Sequence, residues 1–227
     1  MSTITLEHFL TELSTVAQGI DARLIVIRNF EKLPKENIGN DIDLIINEAD
    51  VSRWLDILSQ VCSVNQLKLE VTKQFYYCTK LEISGNNFNL ELDLNNRFEW
   101  KGIKFHDVGS LIENAFPYND IIFTSDSFSN AYITFHHSFL YGGFINYKYI
   151  AQNKLLLSNR ELFESKIKTL GGMFTSRIII KKLINNEKFS RTGANFLRSY
   201  IWLYQFSKSP IRVLFGLYQS IYYDLFR

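Results

Sequence analysis

The segment Gly39-Asn40-Asp41-Ile42-Asp43-Leu44-Ile45-Ile46 constrains the fold more than any other part of the chain: two carboxylates one residue apart open a run of β-formers directly after a loop. On a strand alternate side chains share a face, so Asp41 and Asp43 project together while Ile42, Leu44 and the isoleucines supply the buried contacts. Two like charges side by side repel. Unless they are simply solvated they call for a cation between them, and hard oxygen ligands suit Mg²⁺ or Mn²⁺.

A second acidic strand is expected at Leu90-Glu91-Leu92-Asp93-Leu94, where apolar and acidic residues alternate. If it pairs beside the Asp41 strand, Asp93 faces the same metal position, with Glu91 as the alternative. Three carboxylates on neighbouring strands make a two-metal site, in which one ion holds a polyphosphate and the other lowers the pKa of an attacking hydroxyl. The same alternation also marks a half-exposed strand with one solvated face.

Around these strands the chain reads as a helix over 4–18, a short buried strand Arg23–Arg28, a loop with Pro34 and Gly39, the Asp41–Ile46 strand, and a helix from an Asp50 N-cap through Val61. Strands follow at Leu67–Thr72, Gln74–Ile83 and Phe88–Leu94, then a small hairpin around Lys101-Gly102. Beyond about residue 107 helices dominate, near 128–141, 147–157, 159–170, 174–186, 193–207 and 210–225, with Gly142-Gly143 and Gly171-Gly172 as caps and turns. The fold class is therefore α+β: a mixed sheet with helices over 1–125 and an α-helical part over 126–227.

In this order the chain resembles the nucleotidyltransferase superfamily typified by DNA polymerase β, with an Asp-x-Asp strand and a third Asp on a later strand. More narrowly, Ile27-Arg28-Asn29-Phe30-Glu31-Lys32-Leu33-Pro34, Gly39-Asn40-Asp41-Ile42-Asp43, Trp100-Lys101-Gly102 and His137-Ser138-Phe139-Leu140-Tyr141-Gly142-Gly143 look like nucleotidyltransferase-like proteins of bacterial surface-polysaccharide biosynthesis. The resemblance implies an enzyme that moves a nucleoside monophosphate from a nucleoside triphosphate to a hydroxyl or phosphate acceptor, such as a glycan precursor. Asp41, Asp43 and Asp93 would be its catalytic metal ligands for Mg²⁺ or Mn²⁺. Arg28 and Asn29 stand where the superfamily has Gly-Gly or Gly-Ser; they would steady the triphosphate in place of backbone amides, with Lys148 as a further phosphate contact. The alternative is a catalytically silent fold of the same kind, acting as a binding or assembly subunit in polysaccharide biosynthesis.

Charge divides the chain. Residues 1–139 carry 11 basic and 19 acidic side chains, a net of −8, whereas 140–227 carry 14 and 4, a net of +10. The basic part either covers an acidic surface or meets an anionic partner. The acidic first part argues against a nucleic-acid substrate. Basic and aromatic residues over 209–227 fit a peripheral membrane contact as well as the core of a bundle. Cys62 and Cys78 form no metal or redox motif, and Met1–Leu13 lacks the pattern of an export signal, so a cytoplasmic location is expected, at most peripheral to the inner membrane face. No His-Glu-x-x-His, Walker glycine loop or Gly-x-Ser-x-Gly elbow is present. His136 and His137, being adjacent, cannot share a helix face and are expected to be packing residues.

Overall fold

Alternation in the two acidic segments builds the centre of a mixed sheet in the computed structural model, which describes residues 4–143 and 149–226. Strand β1 (Ile25–Val26) pairs antiparallel with β2 (Asp41–Ile45), and β2 pairs parallel with β5 (Phe88–Asn95). β3 (Lys68–Gln74) and β4 (Cys78–Gly85) extend the sheet beyond β5 as antiparallel neighbours. With β8 (Phe116–Pro117) and β9 (Phe123–Thr124) beyond β1, the order is β3-β4-β5-β2-β1-β9-β8.

A period of two sorts the side chains. Ile42, Leu44, Leu90, Leu92, Leu81 and Ile83 point to one face, into a core shared with Phe9, Leu10 and Leu13 of α1 (Leu6–Gln18) and Trp54 and Leu58 of α2 (Val51–Val64). Helix α1 starts where Thr5 accepts a hydrogen bond from the His8 amide, 3.2 Å, and its apolar residues recur at helical spacing. Each of these large side chains, fully buried, stabilises the unit by roughly 1.5–3 kcal/mol as an upper estimate. The opposite face of β2, β4 and β5 carries the polar residues.

The chain divides into two units. The first takes in the residues up to Arg97, Asp107–Ser125 and the chain end from Tyr223; the second takes in Phe98–His106 and Asp126–Tyr222. The second unit thus includes the hairpin β6 (Phe98–Trp100) and β7 (Ile103–His106) ahead of the helices, where a cut at residue 125 would leave it with the sheet. The reason is packing: the Phe105 ring stacks on His136, 5.5 Å between centroids, and Gly102 lies against the Val213 backbone.

In the second unit α4 (Ser127–His136) is capped by Asp126 and continues through a wider π-helical turn, His137–Tyr141. Then come α5 (Ile150–Ser158), α6 (Arg160–Ile184), α7 (Arg191–Lys208) and α8 (Pro210–Phe226). Gly171 and Gly172 leave helical geometry and break α6 at the expected turn. Gly172 has φ +74° and ψ 179°, a region open essentially to glycine alone. The break orphans carbonyls of the first half, and the buried Gln205 of α7 satisfies two of them, its Nε2 donating to Thr169 O at 2.9 Å and Leu170 O at 2.6 Å.

Elsewhere the expected strands over Arg23–Arg28 and Gln74–Ile83 shorten to Ile25–Val26 and Cys78–Gly85, and a short helix α3 (Val108–Glu113), capped by Asp107, precedes β8. The two-residue strands β8 and β9 lie in the stretch beyond residue 107 where helices are expected to dominate, because two residues carry no period.

Candidate metal centre

Register decides which acids meet. In the β2–β5 ladder Asp43 stands opposite Asp93 and Asp41 opposite Glu91, while β4 places Lys80 opposite Asp93 on the other side. All of these lie on the sheet face away from α1 and α2. Ligand oxygens of Asp41, Asp43 and Asp93 lie within 4.8 Å of one another. Trans ligands of one ion with bonds of about 2.1 Å are about 4.2 Å apart, so the three carboxylates fit a single hard cation with small side-chain adjustments. Glu91, the alternative third acid, is exposed and is not one of the three that cluster.

The acids differ in their surroundings. Asp43, only 1% exposed, accepts a fork from Arg28, Nε to Oδ2 at 2.8 Å and Nη2 to Oδ1 at 2.6 Å, and a third hydrogen bond from Asn95 Nδ2 at 3.2 Å. Asp93, also buried, accepts from Lys80 Nζ at 2.6 Å. Burial pushes the Asp93 carboxyl up to about 6; Lys80 pulls against that, while Asp43 and Asp41 push the same way. On Lys80 burial works against the charge, but the hydrogen bond and attraction to Asp93 outweigh it and raise its pKa. Asp41 is half-buried. Three carboxylates are therefore met by two cations, which leaves one negative charge when all three are ionised.

Around the cluster, Asn29 adopts a left-handed conformation, φ +56°, directly after Arg28. A Cβ on Gly39 would lie 2.7 Å from its Nδ2, so the Arg28-Asn29 turn and the loop entering β2 touch at a glycine. Cys78, on the same face as Lys80, has its thiol pushed above the usual range by burial and by Asp93, which makes it an unreactive neighbour. A hollow of about 310 Å³ in the same unit lies toward the far end of β2, lined by Ile25, Ile46, Arg53 and Trp54 among others; the three acids do not border it.

Of the residues singled out in the sequence, Asp41, Asp43 and Asp93 come together, Arg28 joins them through Asp43, and Asn29 sits at the adjoining turn. Lys148 lies outside the described residues. Sequence reasoning missed Lys80 and Asn95. Lys80 alternates with Leu81 and Ile83 as a polar-face residue of β4, a signal usable only once the register with β5 is known. His136 is fully buried, its pKa lowered to about 3 by burial, and its Nδ1 lies 2.8 Å from the Tyr132 carbonyl, so it is a packing residue. Comparison with family models, with curated proteins and with solved structures gave no match.

Proposed function

We propose that the protein is a metal-dependent nucleotidyltransferase. The observation that carries this reading is the convergence of Asp41, Asp43 and Asp93 from two parallel strands to within 4.8 Å, with hard-oxygen chemistry suited to Mg²⁺ or Mn²⁺. A bound ion would neutralise the triphosphate and lower the pKa of the acceptor hydroxyl. Asp41 and Asp43 would hold that ion in place, and Asp93 would position the acceptor oxygen and activate it through the metal, the acceptor's proton passing to solvent. The acceptor oxygen forms the new bond to the α-phosphorus as the bond to pyrophosphate breaks. Arg28 and Asn29, at the turn beside Asp43, face the phosphates, with Arg28 exchanging part of its fork for phosphate oxygens. A surface-glycan precursor is the acceptor that the resemblance of the chain suggests.

One observation favours a second reading. The Arg28–Asp43 fork and the Lys80–Asp93 pair already balance much of the acidic charge, as in a silent fold that serves as a binding or assembly subunit in polysaccharide biosynthesis. Titration calorimetry with Mn²⁺ and a non-hydrolysable nucleoside triphosphate separates the two. The enzyme binds the nucleotide only with metal and loses that binding in Asp41→Asn; a silent subunit shows no metal-dependent heat.

A further inference from the structure

Helix α8 turns its apolar side outward. Ile211 is 84% exposed, Phe215 59% and Tyr218 63%, and Leu214, Ile221 and Tyr222 are exposed as well. Their spacing follows i, i+3, i+4, i+7, so they form one stripe along the helix. Its rotation is set by packing on the opposite side. Val213 is fully buried against Gly102 of the β6–β7 turn, and Gly216 sits so close to the same glycine that a Cβ would collide with it. The outward stripe is thus a consequence of how α8 is seated, and a contiguous apolar patch of this kind marks a contact surface.

Charge identifies the occupant. Lys208 at the end of α7, Arg212 on α8 itself and Lys101 and Lys104 on the hairpin that seats its inner side are exposed, against two acids, the half-buried Glu99 of the hairpin and the exposed Asp224 toward the end of α8. Residues 140–227 carry a net +10. A second copy docking through this face would bring like charges together, whereas an anionic bilayer offers the opposite sign. Among the described residues no helix is long and apolar enough to cross a membrane, so the contact lies along the surface.

We propose that α8 docks the protein on an anionic lipid bilayer, lying in the interface plane with Ile211, Phe215 and Tyr218 at the headgroup boundary and Lys208 and Arg212 against lipid phosphates. The test is flotation of the full-length protein with vesicles of phosphatidylcholine alone or mixed with phosphatidylglycerol, a readout that involves neither metal nor nucleotide. The protein is expected to float with the mixed vesicles and to stay soluble with the neutral ones. Phe215→Ser with Tyr218→Ser should weaken the partition by about tenfold or more, and Lys208→Gln with Arg212→Gln by about tenfold. Should the apolar double variant melt early, the variant of Lys208 and Arg212 carries the same test. Protein that stays soluble with both vesicles, floats equally with both, or keeps full binding in the variants overturns the proposal. So does a dimer in solution that Phe215→Ser dissociates, since a second copy would then cover the stripe.

Discussion

At the residue scale, Asp43 and Asp41 part company when their charge is removed. Asp43→Asn removes the carboxylate charge that accepts the Arg28 fork, in a pair whose side chains are only 13% and 2% exposed, so the variant should lose metal binding and also about 1.5–3 kcal/mol of stability. Asp41, half-buried and outside the fork, should lose metal binding as Asp41→Asn with little change in stability. Urea melts beside Mn²⁺ titrations of the two variants measure the difference; equal stability would mean that the fork contributes nothing to the fold. His136 supplies a separate test. Its folded pKa, about 3, lies below the ordinary 6.5, so below 6.5 the unfolded chain binds a proton that the folded one refuses. Its stabilising effect is complete above pH 6.5 and is lost toward pH 3 at about 1.4 kcal/mol per unit. In His136→Leu that slope should vanish from denaturation curves taken at several pH values. Asp93 runs the other way: a carboxyl raised to about 6 favours the folded state below the ordinary carboxylate range and loses that effect as pH rises toward 6.

At the scale of elements, the break in α6 depends on its partner as well as on its glycines. Gln205→Leu removes both donors to the Thr169 and Leu170 carbonyls and should cost about 1–3 kcal/mol for each acceptor left buried and unmet. Gly172→Ala, at φ +74° and with the Tyr204 ring 3.1 Å from the new Cβ, should cost about 1–3 kcal/mol. Thermal melts followed by circular dichroism measure each, and a double variant no worse than either single one would show that they act on the same turn. The break itself was legible, since Gly171-Gly172 interrupts an otherwise helical pattern. The capping glutamine was not, because no local pattern ties residue 205 to residue 170. In the sheet, the alternations at Asp41–Ile45 and Phe88–Asn95 announced their strands, and the two-residue strands β1, β8 and β9 were blurred or unseen because pairing alone defines them.

At the scale of the whole molecule, the charge division should make the bilayer contact proposed for α8 depend on ionic strength. Raising salt from about 0.1 M to about 1 M shortens the screening length from about 10 to about 3 Å, so recovery with anionic vesicles should fall steeply while the apolar stripe remains. Recovery that does not change with salt would assign the contact to the apolar side chains alone.

The amino-acid order by itself determined that two acidic strands exist, which faces their carboxylates occupy, where the helices begin and break, and that the two parts differ in charge. These follow from local periodicity and chain stereochemistry. Only the tertiary structure decided that Asp43 stands opposite Asp93 in a parallel ladder, that Arg28 and Lys80 already occupy two of the three acids, and that α8 seats its small residues inward and its large ones outward. Register, pairing partner and helix rotation are set by contacts between segments far apart in the chain, and no single segment encodes them.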